Sequence, residues 1–151
     1  MTKYIYPVSS GVTDETSEDT NDCALRAYCN VTGVSFKDAQ IRFAKQGRKY
    51  RKGTQYKALH TIYTNVGMQP TLMGFTRLCE YIQFVSNLKS TGSARTLKSM
   101  LADPKYQTGK YVFCTARHAM AIVNGKIIDT HNNKSSNRVY LVYTMPEVSI
   151  Q

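Results

Sequence analysis

The chain has 151 residues, 42% of them hydrophobic, and a formal net charge of +10 at pH 7. This length suits a single compact domain over residues 1–151 with its own core and is too short for two domains of ordinary size. An apolar run of the roughly 20 residues that a membrane span needs is missing, as is a basic segment leading into an apolar one, so we expect an unexported, cytoplasmic protein. The positive charge predicts attraction to an anionic partner such as nucleic acid or an acidic protein face.

The four cysteines do not form a recognisable metal or disulfide pattern. Cys23, Cys29, Cys79 and Cys114 include no CxxC pair, and a chain with a substantial core does not need disulfides to fold. Zinc-ribbon and disulfide-scaffold architectures are therefore disfavoured. We expect reduced thiols in a cytoplasmic setting, and no metal or other cofactor.

The N-terminal segment, residues 1–20, is polar and acidic. An edge strand is expected within 4–8, and five of the ten acidic residues follow between positions 14 and 22. The rest of the chain is therefore even more basic than the total charge indicates. This acidic segment is either a solvated loop or a cover that folds back over a basic groove.

Three helices are predicted next, over 22–31, 35–46 and 54–64. Ser35 and Asp38 form a capping-box pattern at the start of the second helix, where the serine hydroxyl can accept a hydrogen bond from a free backbone N–H. Glycines follow the first two helices closely and supply natural stops. The first two helices are expected to form a helical hairpin.

A basic cluster lies between the second and third helices. Arg48, Lys49, Arg51 and Lys52 surround Tyr50, a combination that can bind phosphates while the ring stacks on a base. Short basic clusters are also common in solvated loops. The cluster is therefore either a contact for nucleic acid or an acidic protein, or an ordinary surface loop.

The remainder of the chain changes from helical to strand-forming sequence. A strand over 68–73, a helix over 75–85 and a helical turn over 96–101 come first. Runs rich in β-formers follow at 110–115, 118–123, 126–130 and 138–143, with an Asn-Gly hairpin turn at 124–125. Helices followed by an antiparallel β-meander predict an α+β fold.

Two polar residues flank this hairpin. With 124–125 as the turn, the register places His118 and Asp129 within about a residue or two of facing each other on adjacent strands. Strict alternation puts both side chains on the face of Met120, which suits a diagonal contact between them. The sequence therefore predicts a histidine held by a carboxylate.

Cys23 opens the first predicted helix, at the end of a polar loop. The positive end of the helix dipole and the free N–H groups favour a thiolate there. A cysteine nucleophile also needs an imidazole within hydrogen-bond reach to take its proton, and a polar group to hold the other ring nitrogen. Cys23, His118 and Asp129 are of the required types.

The segments 22–27 (DCALRA) and 117–130 (RHAMAIVNGKIIDT) carry a family resemblance. Together they resemble the papain-like cysteine peptidase superfamily, in particular small papain-like domains of bacteriophage and bacterial proteins and the peptidase domains of bacteriocin-processing transporters. The resemblance implies Cys23 as nucleophile, His118 as general base and Asp129 as the residue that orients the histidine. It also implies a papain-like fold, in which an N-terminal helical half carries the nucleophile helix and packs on the C-terminal meander.

One position departs from the family pattern. These families usually have a glutamine shortly before the cysteine that helps to form the oxyanion hole, and Ser17 occupies that position here. The hole is expected to use the Cys23 backbone N–H with a side-chain donor such as Asn21. Asn132 and Asn133 are alternative orienting residues, because the superfamily also uses asparagine in that role.

The leading functional hypothesis is a cysteine hydrolase. It would act on a peptide, isopeptide or side-chain amide bond of a protein or peptide substrate through a thioester, as a phage-encoded protease in the host cytoplasm if the phage resemblance holds. The same chemistry also supports deamidation and acyl transfer.

Two other hypotheses belong to different classes. The first is a non-catalytic binder of nucleic acid or an acidic host protein on a degenerate papain-like fold, using the basic cluster. The second is a metal site of Cys23, His118 and His131, which is disfavoured because these residues lack the close ligand spacing of known sites. Substrate and oligomeric state are left open by the sequence.

Overall fold

The computed structural model describes residues 5–6, 23–49, 53–54, 56–74, 92–116, 118–129 and 133–147. The helices in these ranges are α1 (Cys23–Thr32), α2 (Phe36–Lys45), α3 (Tyr56–Asn65) and α4 (Leu97–Ala102), with a short 3₁₀ helix at Pro104–Tyr106. The strands are β1 (Ile5–Tyr6), β2 (Gln69–Leu72), β3 (Arg95–Thr96), β4 (Lys110–Cys114), β5 (Ala119–Val123), β6 (Lys126–Ile128), β7 (Asn133–Lys134), β8 (Arg138–Val139) and β9 (Leu141–Thr144). The prediction of an α+β fold is confirmed.

Helix boundaries follow the capping residues. Ser35 caps α2, its hydroxyl accepting a hydrogen bond of 3.2 Å from the backbone N–H of Asp38 as the sequence predicts. Thr96 caps α4 in the same way. At the end of α1, Gly33 adopts a φ of 79° and its N–H bonds to the carbonyl of Cys29, the usual left-handed helix stop.

The main sheet is antiparallel with the order β2-β9-β4-β5-β6. The predicted simple meander is therefore wrong: the last strand, β9, returns to pair with β4 instead of β6, which gives a Greek-key arrangement. The reason is burial. Val142 of β9 packs into one core cluster and Leu141 and Tyr143 into the other, so this strand needs a central position with both faces covered.

Each face of the sheet supports its own core cluster. Helices α1, α2 and α3 cover one face, where Val112, Cys114, Ala119 and Ala121 are buried. On the other face, α4 and the 3₁₀ helix cover a cluster that includes Tyr111, Phe113, Met120 and Ile122. Alternating residues of the same strands thus serve opposite cores.

Helix α1 lies at the centre of the helical layer. It packs against β5, β4 and α2, and residues 24–29 are all buried. A ten-residue helix enclosed in this way gains its stability from packing more than from helix propensity. Its first residue, Cys23, is thereby held beside the start of β5.

Several predicted features have modified bounds or lie outside the described residues. The run 138–143 divides into β8 and β9 at Tyr140, and the predicted helix over 75–85 lies outside the described residues, as does most of the acidic segment. Within the described ranges, every helix is too short or too polar to cross a membrane.

Candidate active site

The β5–β6 hairpin brings His118 and Asp129 together. Asn124 and Gly125 form its turn with φ values of 50° and 79°, and Val123 pairs with Lys126 in the predicted register. His118 Nε2 lies 2.5 Å from the Oδ2 atom of Asp129. The contact that the sequence predicts is therefore present.

The direction of His118 differs from strict alternation. Met120 packs in the cluster on the α4 face, whereas His118 lies close to Cys23 of α1, which packs on the opposite side of the sheet. The reason is that His118 precedes β5 and belongs to the turn that joins it to β4. Its side chain is not bound by the alternation of the strand, so it reaches toward the helix.

Small side chains allow the approach of α1 to β5. Ala119 and Ala121 of β5 face Ala24 and Ala27 of the helix within one buried cluster. Alanines on both surfaces let a helix and a sheet pack closely without voids. Cys23, half-buried at the helix N-terminus, then lies against the histidine.

Both functional neighbours of His118 lie close to its ring. Nε2 bonds to Asp129, and Cys23 lies near enough to raise the pKa of the ring. The His118 side chain is 19% exposed. A thiol, an imidazole and a carboxylate are thus gathered between α1 and the hairpin.

The environment of His118 favours its protonated form. Burial lowers the pKa of His118, but the hydrogen bonds and negative charges of Asp129 and Cys23 outweigh burial and raise the pKa to about 10. The ring therefore carries a positive charge at neutral pH.

Asp129 is almost fully enclosed, with 3% of its surface exposed. Its Oδ2 atom also accepts a hydrogen bond of 2.8 Å from the Asn133 amide nitrogen. A buried carboxylate is stable only when charge partners and hydrogen bonds replace its water shell. Both are present here, in His118 and Asn133.

The backbone of His118 is fixed by its own turn. Its carbonyl oxygen accepts a hydrogen bond of 2.8 Å from the N–H of Thr115, and the Thr115 hydroxyl lies 3.4 Å from the same oxygen. The Tyr56 hydroxyl in turn donates to the Thr115 carbonyl at 3.1 Å. Helix α3 thus holds the loop that presents the histidine.

A second tyrosine of α3 holds the cysteine side of the site. The Tyr63 hydroxyl donates a hydrogen bond of 2.7 Å to the carbonyl oxygen of Ala24, next to Cys23. Complete burial raises the pKa of Tyr63 well above its ordinary value, and nearby cysteines add to the effect. The hydroxyl therefore keeps its proton and remains a donor at neutral pH.

Sequence reasoning did not find Tyr56, Thr115 or Tyr63. Each acts through a backbone carbonyl that lies near in space but, for the tyrosines, 39 and 59 residues away along the chain. Such bonds leave no local sequence pattern. The preference of buried tyrosine hydroxyls for a partner was the one general indication.

Some of the predicted site residues lie outside the described residues: Asn21, Ser17, Asn132, Arg51 and Lys52. The predicted oxyanion hole at Asn21 therefore stays a prediction. Asn133 is described, and it bonds to Asp129, while the Nε2 atom of His118 is taken by Asp129 itself. The orienting position next to the histidine is thus filled by the carboxylate.

Arg48 and Lys49, the described residues of the basic cluster, differ in solvent exposure. Arg48 is 8% exposed, and Lys49 beside it is exposed. Arg48 is thus much less accessible than Lys49. The binding hypothesis over Arg48, Lys49, Arg51 and Lys52 stays a prediction.

The titratable side chains of the described residues do not form a metal-binding group. Where side chains are described, no three of the His, Cys, Asp and Glu residues are gathered as a metal ion requires. His131, the third member of the disfavoured metal hypothesis, lies outside them. Of the described cysteines, Cys23 is half-buried, and Cys29 and Cys114 are buried.

Comparisons of the chain with protein-family models, with curated proteins and with solved structures find no match.

Proposed function

We propose that this protein is a cysteine hydrolase of papain-like architecture that cleaves a peptide, isopeptide or side-chain amide bond of a protein or peptide substrate. The observation that carries the proposal is the grouping of Cys23, His118 and Asp129, in which Asp129 bonds to His118 and Cys23 lies beside the same ring. The series joins the N-terminus of a buried helix to a hairpin almost a hundred residues away in the chain. Nucleophile, base and orienting carboxylate are the three groups that this chemistry needs.

The first half of the reaction forms a thioester. The Cys23 thiolate attacks the substrate carbonyl carbon, and the carbonyl electrons move to oxygen. The oxyanion collapses, the C–N bond breaks, and the departing amine takes the proton of the His118 imidazolium. Cys23 is then acylated and His118 is neutral.

The second half releases the product. Neutral His118 takes a proton from a water molecule as the water oxygen attacks the thioester carbonyl. Collapse of this intermediate expels the Cys23 thiolate and leaves a carboxylic acid, and the thiolate–imidazolium pair is restored. Asp129 keeps Nε2 bonded throughout, so that Nδ1 always faces the sulfur.

The oxyanion hole relies on the helix N-terminus. Cys23 is the first residue of α1, and the N–H groups of a first helical turn have no partner within the helix. The Cys23 N–H, with Asn21 as the second donor, would bind the oxyanion. An amide at Asn21 in place of the family's glutamine is compatible with a slow hydrolase as well as with acyl transfer.

A test is acylation by p-nitrophenyl acetate, a small activated ester that needs no substrate recognition. We expect a burst of about one nitrophenolate per chain and an acetyl group on Cys23 by mass spectrometry. Cys23→Ala should abolish the burst. Cys29→Ala, which removes a buried thiol of the same helix, should retain it.

An unchanged burst in Cys23→Ala would overturn the proposal, because acylation would then occur elsewhere. His118→Ala should slow the burst without abolishing it, since the thiol remains but the imidazolium beside it is lost. A burst that is indifferent to His118 would also contradict the proposed chemistry.

A further inference from the structure

Asn133 hydrogen-bonds to the Asp129 carboxylate, and the proposed roles of Cys23, His118 and Asp129 do not account for this bond. Its amide nitrogen donates to the same Oδ2 atom that receives His118 Nε2, at 2.8 Å and 2.5 Å respectively. Both Asn133 and Asp129 are 3% exposed. One buried oxygen thus has two donors from opposite sides of the site.

Two donors on one oxygen fix the rotation of the carboxylate. A single hydrogen bond leaves a carboxylate free to turn about its terminal torsion, which is broad and roughly two-fold. A second donor on the same atom restricts that torsion and keeps Oδ2 on the line to His118. Because the Asn133 amide is neutral, it does this without competing with His118 for the proton on Nε2.

The Asn133 backbone is held from both sides. On one side β7 pairs antiparallel with β1, with Tyr6 opposite Asn133. On the other, the turn that follows β7 is held by α4, whose first N–H groups bond to the carbonyls of Asn137 at 2.8 Å and Ser135 at 3.0 Å. The strand β1 is therefore connected to the site through Asn133.

We propose that Asn133 is a positioning residue that aligns the Asp129 carboxylate on His118, and that β1 holds Asn133 in place, which makes the N-terminal strand part of the site. The inference rests on the proposed function. It adds a control point at the start of the chain: whatever displaces Ile5–Tyr6 from β7 weakens the histidine–carboxylate bond.

The readout is the titration of His118, followed by the ring C–H signals of a protein with three histidines. Among the described residues, the groups that raise the pKa of His118 are Asp129 from the hairpin and Cys23 from α1. If the amide aligns the carboxylate, Asn133→Ala lets it turn away, and the pKa of His118 falls toward its ordinary value. A merely structural role for Asn133 would not move this titration selectively.

His60 is the internal control. It lies on α3, hydrogen-bonds to the Tyr143 hydroxyl at 2.8 Å, and has a pKa lowered by burial. Global loosening would return the pKa of His60 upward to its ordinary value. Loss of alignment at Asn133 should leave His60 unchanged and lower the pKa of His118 alone.

Three variants complete the experiment. Asn133→Ala should slow Cys23 alkylation by iodoacetamide several-fold near pH ~7.5, where a ring with a pKa of about 10 is still charged and a ring near the ordinary pKa is mostly neutral. Asn133→Ser, which keeps a short donor, should restore part of the rate. Ile5→Pro with Tyr6→Pro, in the full chain, should give a smaller loss, because the α4 contacts remain.

The outcomes separate this inference from the function it rests on. A wild-type His118 that titrates at its ordinary pKa, with Cys23 alkylated no faster than in His118→Ala, would defeat the proposed function itself. A raised His118 pKa that Asn133→Ala leaves untouched would overturn the inference alone. If Asn133→Ala lowers the pKa of His118 and the alkylation rate as expected, but Ile5→Pro with Tyr6→Pro changes neither, then β1 has no part in holding Asn133.

Discussion

The Tyr63 hydroxyl donates a hydrogen bond of 2.7 Å to the carbonyl oxygen of Ala24, the residue that follows Cys23. The bond joins α3 to the first turn of α1, and both residues are buried. It therefore ties the start of α1, where Cys23 lies, to α3. The position of the Cys23 thiol therefore depends on Tyr63, which acts through the backbone of Ala24.

Tyr63→Phe should lower the free energy of unfolding by about 1–3 kcal/mol, the usual cost of leaving a buried polar group unsatisfied. Urea denaturation measures this loss. The rate of Cys23 alkylation should fall as well, because the helix start is less well fixed.

Tyr111→Phe is the matched control for that substitution. The Tyr111 hydroxyl also donates to a carbonyl, that of Lys105 at 3.1 Å, but on the α4 face of the sheet. It should cost about 1 kcal/mol and leave Cys23 alkylation unchanged. Equal effects of the two variants on alkylation would show that Tyr63 has no special link to the thiol.

Gly125→Ala should loosen the hairpin that carries His118 and Asp129. Gly125 has a φ of 79°, and a Cβ atom built there would lie 2.6 Å from Gln107 Oε1. We expect a loss of about 1–2 kcal/mol in the free energy of unfolding, the penalty of the left-handed region for a residue with a Cβ.

Gly53→Ala provides the comparison, because a Cβ at Gly53 meets nothing within 4 Å and no left-handed φ is required there. Its stability should stay within about 0.5 kcal/mol of wild type. A Gly125→Ala variant as stable as Gly53→Ala would contradict the turn geometry.

The hairpin could be predicted because its information is local. An Asn-Gly pair between two apolar runs sets the turn type, the turn sets the register, and the register brings His118 to Asp129. The cap at Ser35 is local in the same sense. Each of these features is decided by residues within about a dozen positions of one another.

The strand order could not be predicted in this way. Whether β9 pairs with β4 or β6 depends on which faces need covering, and that is known only when the helices and α4 are in place. The bonds of Tyr63 and Asn133 to the site likewise depend on tertiary packing. The direction of His118 was missed because alternation holds within a strand and not in the turn before it.

Ala121→Leu tests the close packing of α1 on β5. Ala121 is fully buried on the helix face of the sheet, so a larger side chain should cost about 1–3 kcal/mol of stability and push α1 outward. Cys23 alkylation should then slow toward the rate of His118→Ala. Thermal or urea unfolding and the alkylation rate are measured on the same preparation.

Ala44→Leu is the control, because Ala44 is exposed on α2 and leucine suits a helix. Its stability and alkylation rate should match wild type. An Ala121→Leu variant that is destabilised yet alkylates at the wild-type rate would contradict the dependence of the site on this contact.

The raised pKa of His118 predicts a pH-dependent stability. Its folded pKa of about 10 lies above the ordinary value of 6.5, so its stabilising contribution is complete below about pH 6.5 and is lost as pH rises through about 10. The comparison is best made between Cys23→Ala and Cys23→Ala with His118→Gln. The first substitution removes the ionisation of the thiol, and Asp129 still holds the histidine proton.

The difference in unfolding free energy between these two variants should shrink by more than about 1 kcal/mol from pH 6 to pH 10. Urea titrations at several pH values measure it. A difference that stays constant, or grows, would mean that His118 is not protonated by its contact with Asp129.

The most direct measurement of the central claim is the rate at which iodoacetamide alkylates Cys23 near pH 6, in wild type and in His118→Ala, with the modified peptide quantified by mass spectrometry. Removal of the ring exposes Cys23 further, so a slower reaction in His118→Ala reports the loss of the imidazolium and not a loss of access. We predict that wild type reacts at least about tenfold faster, because the charged ring keeps the sulfur as thiolate. Equal rates in the two proteins would contradict the assignment of Cys23 and His118 as a catalytic pair.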